Sequence, residues 1–274
     1  MTMPMKALAL VVWAIVTLLG IPTQWIALKL GLPLLRVVPM YYHRLCLMLL
    51  GIRVSVRGAP ARERPLMLVA NHCSWIDIPV LSSITPVMFI AKSEIAGWPL
   101  IGLLARLQRT VFVDRTRRQS TSAVNREIAA RMTEGDGVVL FGEGQAGDGN
   151  TVLPFRTALF GAIRDVLGSA SHGYVQPVSV AYTRLHGLPM GRQFRSWAAW
   201  YGDLDLLPHF LRVLRDGAID VVVTFGQVIA VEADADRKLL ARRSEDAVRR
   251  MTAAALAGRI ELSGEAVPLP VETR

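Results

Sequence analysis

The chain has 274 residues, a formal net charge of +9 and a pI of about 10.2; 52% of it is hydrophobic, 19% is charged, and the mean hydropathy is +0.36. That is too apolar for an ordinary soluble enzyme and too charged for a polytopic membrane protein. The basic residues lie scattered among Leu, Val and Trp, with no aromatic-basic or helix-turn-helix pattern, which disfavours nucleic acid and favours an anionic membrane surface.

Residues 7–21 form an uncharged apolar run after Lys6, interrupted by Pro22, Thr23 and Gln24 and resumed from Trp25. A spanning helix needs roughly 20 apolar residues, so residues 7–28 would span with a kink at Pro22, or lie in the interface as two helices. No small-x-small cleavage site follows cleanly. Tyr41–Leu50 reads as an amphipathic or buried helix, with His43 serving packing. Cys46 and Cys73 are the two cysteines and lack metal-ligand spacing, so neither a disulfide framework nor a metal site is expected, in keeping with a reducing compartment.

After Gly51, Ile52–Arg57 alternates as a strand, and Leu66–Ala70 reads as a buried strand. A helix from about Ile76, a strand Val87–Ala91 ending at Lys92, a helix from Pro99 and a strand Thr110–Val113 follow. Residues 119–134 read as a surface helix and Val138–Phe141 as a fourth central strand that delivers the glycine-rich loop 142–150. Residues 155–167 read as helical, Val175–Ala181 as a strand interrupted by Pro177, Ile219–Phe225 as a strand, and Asp236–Leu256 as a long helix. Strands alternating with helices predict an α/β fold with a mixed, largely parallel central sheet flanked by helices. The predicted organisation is a membrane-associated helical segment over 1–50, one catalytic domain over 51–262 and a loose tail over 263–274.

The stretch A-N-H-C-S-W-I-D-I-P at 70–79 follows a strand, the position where open α/β sheets place chemistry. A His with a nearby carboxylate is the minimum apparatus for taking a proton from a hydroxyl: imidazole titrates near neutrality, and the carboxylate fixes its tautomer and steadies the imidazolium. His72 and Asp77 are therefore the candidate catalytic pair. Ser74-x-x-Asp77 before an apolar run is also a capping-box pattern. Two more polar clusters follow strands, F-V-D-R at 112–115 and F-G-E-G at 141–144. If those strands are parallel neighbours, His72, Arg115 and Glu143 share one rim. Arg115 then offers a planar fork for an anion, or belongs to a solvated cluster with Arg117 and Arg118. The loop at Gly142 and Gly144 brings backbone N–H groups near an anion, or is a plain turn.

In this order the clusters resemble the glycerolipid acyltransferases of the lysophosphatidic acid acyltransferase type. That family's pattern is H-x-x-x-x-D, a block ending near F-[IV]-[DE]-R, F-P-E-G-T, and a strand with V-x-P-V. Here they read N-H-C-S-W-I-D (71–77), a segment ending F-V-D-R (112–115), F-G-E-G-Q (141–145) and V-Q-P-V-S-V-A-Y (175–182). Two departures stand out: Gly142 replaces the usual Pro, and Gln145-Ala146 replaces the common Thr-Arg, whose Arg is a familiar phosphate contact. The segments 147–162 and 190–209 are similar to the branch that includes lyso-ornithine lipid acyltransferases, although Trp197, Trp200 and Tyr201 suit an ordinary core equally.

The resemblance implies an O-acyltransferase that moves a fatty acyl group from acyl-acyl carrier protein or acyl-CoA to the free hydroxyl of a lysolipid. The acceptor it puts first is 1-acyl-sn-glycerol-3-phosphate, giving phosphatidic acid; the alternative is lyso-ornithine lipid, giving ornithine lipid. His72 and Asp77 are the implied general base pair; Arg115, Glu143, Gly144 and Lys92 are the implied acceptor-binding residues. No cofactor or metal is implied, and the expected place is the cytoplasmic face of a cell inner membrane. A reading of another class is a non-catalytic lipid-binding protein on the same fold. A secreted esterase is disfavoured because no G-x-S-x-G occurs.

Overall fold

The computed structural model describes residues 3–113, 120–160, 163, 172–232 and 235–259. The strand β2 (Leu66–Ala70) is the centre of the fold, parallel to both β5 (Gly137–Phe141) and β6 (Gly173–Leu185). All five β2 residues are buried because both of its faces are covered: Leu66, Leu68 and Ala70 belong to one apolar cluster, Met67 and Val69 to the other. From β5 the sheet continues in parallel through β3 (Val87–Lys92) to β4 (Val111–Val113). On the other side β8 (Ile219–Phe225) runs antiparallel to β6 and parallel to β1 (Ile52–Arg57). The short strands β7 (Leu188–Pro189) and β9 (Ile229–Val231) also pair with β6. The predicted mixed, largely parallel sheet is present. The ends of β2, β5, β3 and β4 lie on one rim, with β3 between β4 and β5.

Helices α2 (Leu34–Leu49) and α3 (Asp77–Ile84) cover one face with α6 (Arg192–Ala198) and α7 (Leu206–Asp216); α5 (Ser120–Thr133) and α8 (Arg237–Leu256) cover the other. Two further helices are α1 (Met3–Lys29) and the short α4 (Ile101–Leu107). Several elements differ from expectation. Pro22 lies inside the continuous α1 instead of dividing it, and Pro39 lies inside α2. The helix expected from Pro99 is present as α4, beginning at Ile101, and an additional 3-10 turn over Ser93–Gly97 precedes it. Of the helix expected over 155–167, Thr157–Phe160 is a 3-10 turn, and 161–162 and 164–167 lie outside the described residues. Strand β6 passes straight through Pro177. In a strand a residue's N–H and C=O point the same way, and the Pro177 carbonyl accepts from Gly226 N at 2.8 Å, just beyond the end of β8. The missing N–H thus falls where no strand partner demands it.

Helix α1 is inverted relative to a helix on a soluble protein. Its inner stripe carries Ala9, Thr17, Gln24 and Ala27, all buried, while Leu8, Val11, Ile15, Leu18, Leu19 and Trp25 are exposed. Most polar groups inside are paired: Trp13 Nε1 donates to Tyr42 Oη at 3.0 Å, Thr17 Oγ1 lies 2.9 Å from the same oxygen, and Gln24 Nε2 donates to the carbonyls of Leu35 (2.7 Å) and Leu107 (2.9 Å), while Gln24 Oε1 is buried without a partner among the described residues. Ala7–Lys29 is long and apolar enough to cross a membrane. Apolar outside and hydrogen-bonded inside suits a helix whose outer medium is lipid.

Gln24 ties α1 to both α2 and α4. Gln24→Leu leaves two buried carbonyls without a donor and is expected to cost about 1–3 kcal/mol, read as a lower melting temperature in detergent micelles.

Candidate active site

Asn71 sets the exit from β2. Its Nδ2 donates to the Val180 carbonyl at 2.9 Å and its Oδ1 accepts from Val180 N at 2.8 Å. The side-chain amide thus takes the place of a backbone peptide in the ladder to β6, and the main chain is released to turn at His72. The tight segment 72–76 then delivers Asp77 as the first residue of α3.

The Asp77 carboxylate is fully buried and heavily hydrogen-bonded. Its Oδ2 lies 2.8 Å from His72 Nδ1 and accepts from the backbone N–H groups of Cys73 (2.8 Å) and Ser74 (2.9 Å); its Oδ1 accepts from Tyr182 Oη at 2.7 Å. The bond from Ser74 N is the returning arm of a capping box and the same oxygen braces the imidazole, but the forward arm is not made: Ser74 Oγ is buried without a partner among the described residues, and Asp77 N bonds to the Ser74 carbonyl instead. With Nδ1–H donating to Asp77, Nε2 carries the lone pair, and among the described residues it has no protein partner. The His72 side chain is 19% exposed and its ring stacks on Phe141 at 4.0 Å between centroids, with an 18° interplanar angle. The arrangement is a positioned base with its free nitrogen at the rim of the sheet.

Burial and the Asp77 charge push the Cys73 thiol well above its ordinary pKa, so it is neutral and a poor nucleophile. The same two causes raise the Tyr182 phenol, which stays protonated and donates to Asp77. Neither the thiol nor Ser74, which is buried, offers itself as an attacking group.

Glu143 is only 2% exposed, and its Oε1 accepts from the backbone N of His72 at 3.2 Å. Burial, reinforced by the Asp77 charge, raises its pKa to about 8 against the pull of the His72 and Leu153 N–H groups and of Arg249. Gly144 has φ +67° and closes the turn by donating to Phe141 O at 3.0 Å. Gly147 N donates to His72 O at 2.9 Å, so the glycine-rich loop is laced to the segment that carries the histidine. Gly142 has a specific cause: its N–H donates to Ala70 O at 2.9 Å, and a Cβ there would fall 2.6 Å from the Phe155 ring. Proline would lose that bond and meet the ring. A basic group does reach this loop, from Arg156, whose Nη2 lies 3.5 Å from Gln145 Oε1. Lys92 is exposed at the end of β3, on the same rim. Arg115 lies outside the described residues. Asn71, Tyr182 and Phe141 were given no role by the sequence; Tyr182 closes the V-Q-P-V-S-V-A-Y block, and Asn71 stands beside the histidine.

Residues 53–181 match a family model described as Acyltransferase. The chain is 50% identical over 241 residues to the Lyso-ornithine lipid O-acyltransferase of Brucella abortus, covering 87% of this chain and 90% of that protein. It is 44% identical over 257 residues to that of Rhizobium meliloti, covering 93% and 88%. The 1-acyl-sn-glycerol-3-phosphate acyltransferase of Neisseria gonorrhoeae is 30% identical over 198 residues, covering 72% and 73%. Among solved structures, the 1-acyl-sn-glycerophosphate (LPA) acyltransferase PlsC of Thermotoga maritima shares the fold, with a TM-score of 0.56 at 20% identity, over 91% of this chain and 99% of that one.

The Glu143 environment has a pH signature. A carboxyl whose folded pKa is raised to about 8 contributes stability that is full below its unfolded value and is lost as pH rises toward the folded one. The unfolding free energy of the wild type should therefore fall between about pH 5 and pH 8 relative to Glu143→Gln, which keeps the acceptor for His72 N but cannot ionise. Parallel curves for the two proteins across that range would refute the assignment.

Proposed function

This chain belongs to the acyltransferase family, and on that premise we propose that it transfers a fatty acyl group from an acyl thioester to the free hydroxyl of lyso-ornithine lipid at the cytoplasmic face of a membrane. The observation that carries the chemistry is the imidazole of His72, locked through Nδ1 by a buried carboxylate and open at Nε2. Nε2 takes the proton of the acceptor hydroxyl as its oxygen attacks the thioester carbonyl. The tetrahedral oxyanion collapses with cleavage of the C–S bond, and the imidazolium returns the proton to the departing thiolate of coenzyme A or of the carrier protein. Asp77 stabilises the imidazolium in between. No acyl-enzyme is needed, in keeping with a neutral, buried Cys73.

The choice of acceptor rests on the relatives at 50% and 44% identity, both named for lyso-ornithine lipid, and on Gln145-Ala146 standing where a phosphate-binding Arg is common. It reverses the order that the motifs alone suggested. The 1-acyl-sn-glycerol-3-phosphate acceptor remains the second reading, supported by the relatives at 30% identity named for it. Membrane association follows from the outward apolar face of α1. Exposed Leu100, Ile101 and Leu103 on the α4 side, and Leu204, Leu207 and Leu211 around α7, extend that face on elements packed against α1. A lipid acceptor would reach the rim from the bilayer without crossing water. The net charge of +9 suits an acidic carrier protein as donor.

Membranes carrying the protein, supplied with one labelled acyl thioester and both lysolipids, should label ornithine lipid at least about tenfold faster than phosphatidic acid, a difference of roughly 1.4 kcal/mol; the reverse preference would move the acceptor to the glycerophosphate. Replacing acyl-carrier protein by acyl-CoA in the same assay identifies the donor. His72→Ala should lower transfer by about 10²–10⁴-fold while the protein still floats with vesicles, and Cys73→Ala should stay near the wild-type rate. A dead Cys73→Ala together with an acylated protein would mean a thiol intermediate.

A further inference from the structure

Beyond Gly147 the loop brings together two opposite charges that do not close on each other. Gly147 N is bonded to the His72 carbonyl, and Gly149, at φ +78°, places its Cβ direction 3.8 Å from Cys73 Sγ and 3.8 Å from Arg195 Cβ. Between these glycines, Asp148 accepts from Asn150 N at 2.9 Å and from Asn150 Nδ2 at 3.0 Å. The same Asn150 presents its Oδ1 to Arg195 Nη1 at 3.4 Å, and Arg195 Nε donates to Met190 O at 3.2 Å. The segment following α6 is fixed to the site by Trp200 N, which donates to Cys73 O at 2.7 Å. Both charged side chains are half-buried, and among the described residues neither is in a salt bridge. Partial burial raises the Asp148 pKa, but the donors of Asn150 and Thr151 outweigh it and leave the net shift downward, so the group is anionic at neutral pH.

Opposite charges this near each other ordinarily pair directly. Here one neutral amide stands between them, hydrogen-bonded to each, on two segments anchored to the carbonyls of the catalytic His72 and its neighbour Cys73. Such a spacer fixes a separation and leaves carboxylate lone pairs and guanidinium donors for a third species that carries both signs. We propose that Asp148 and Arg195 read a zwitterionic amino-acid headgroup, Asp148 taking a primary ammonium and Arg195 a carboxylate, with Asn150 setting the span between them. The inference rests on the acceptor proposed above, an N-acylated amino acid that keeps one ammonium and one carboxylate. It also supplies discrimination: a phosphate-headed lysolipid finds a match at Arg195 but a like charge at Asp148.

The test uses the full chain in membranes, lyso-ornithine lipid, and two analogues of it, one N-acetylated on the side-chain amine and one with the carboxylate converted to a carboxamide. The wild type should prefer the parent over each analogue by about tenfold in kcat/KM, chiefly through KM. Asp148→Asn should lose the preference against the acetylated analogue and keep that against the carboxamide, and Arg195→Gln should do the opposite. General damage to the fold lowers all three substrates together and cannot produce this crossed pattern; Asp148→Glu, which keeps the charge, should retain the first preference. If the wild type acylates lyso-ornithine lipid yet accepts both analogues equally, the headgroup assignment is overturned and the acceptor stands. If it acylates only 1-acyl-sn-glycerol-3-phosphate, the acceptor reading fails and this inference with it.

Discussion

The site depends on one carboxylate that folding has removed from water. A buried ionised carboxyl is costly unless its lone pairs are filled, and Asp77 meets that condition with two backbone N–H groups, a phenol and an imidazole. Three of these partners come from the adjoining segment His72–Ser74 and the fourth, Tyr182, from a distant strand. The N–H groups fix the turn after β2, Tyr182 reaches across from β6, and His72 gains its tautomer. The charge that orients the base therefore also fastens the loop to the sheet, and loss of any donor would be felt by the others through the shared oxygen atoms.

A second ring of contacts keeps this hub at the rim. Asn71 continues the β2–β6 ladder with its side chain, Gly142 admits the Phe155 ring, and Glu143 backs the His72 amide from beneath. Burying Asn71 and Asp77 here is tolerated because β6 supplies partners for them through Val180 and Tyr182. On the opposite scale, the apolar outer face of α1 would be tolerated where lipid replaces water. Chemistry on one rim and lipid-facing helices beside it solve the same difficulty, since the acceptor has a polar head and a tail that water rejects.

Much of this was legible in the sequence where residue type dictates environment. The buried runs of β2 and β5 and the alternation of β1 gave their strands within a residue, and H-x-x-x-x-D gave the pair that the fold brings to 2.8 Å. What could not be read depended on who stands opposite. Pro22 looks like a helix breaker and Pro177 a strand breaker, yet the chain continues through both, at Pro177 because no partner strand faces the missing donor. Helix α7 carries its signal openly, with Leu206, Leu207, Phe210, Leu211 and Leu214 recurring at helical spacing, whereas the seven residues of α6 are too few to establish a period. Tyr182 and Asn71 have partners more than 100 residues away, a relation no local pattern encodes.

The stack of His72 on Phe141, and of Phe141 on Phe89 behind it at 6.1 Å, has a stereochemical consequence. With one π-face covered and Nδ1 pinned, the imidazole neither flips nor tilts, so a lone pair lying in the ring plane can be approached along a single line. On the proposed mechanism an acceptor hydroxyl must present its O–H in the plane of the ring, on a line fixed by an aromatic pile that the hydroxyl itself does not meet.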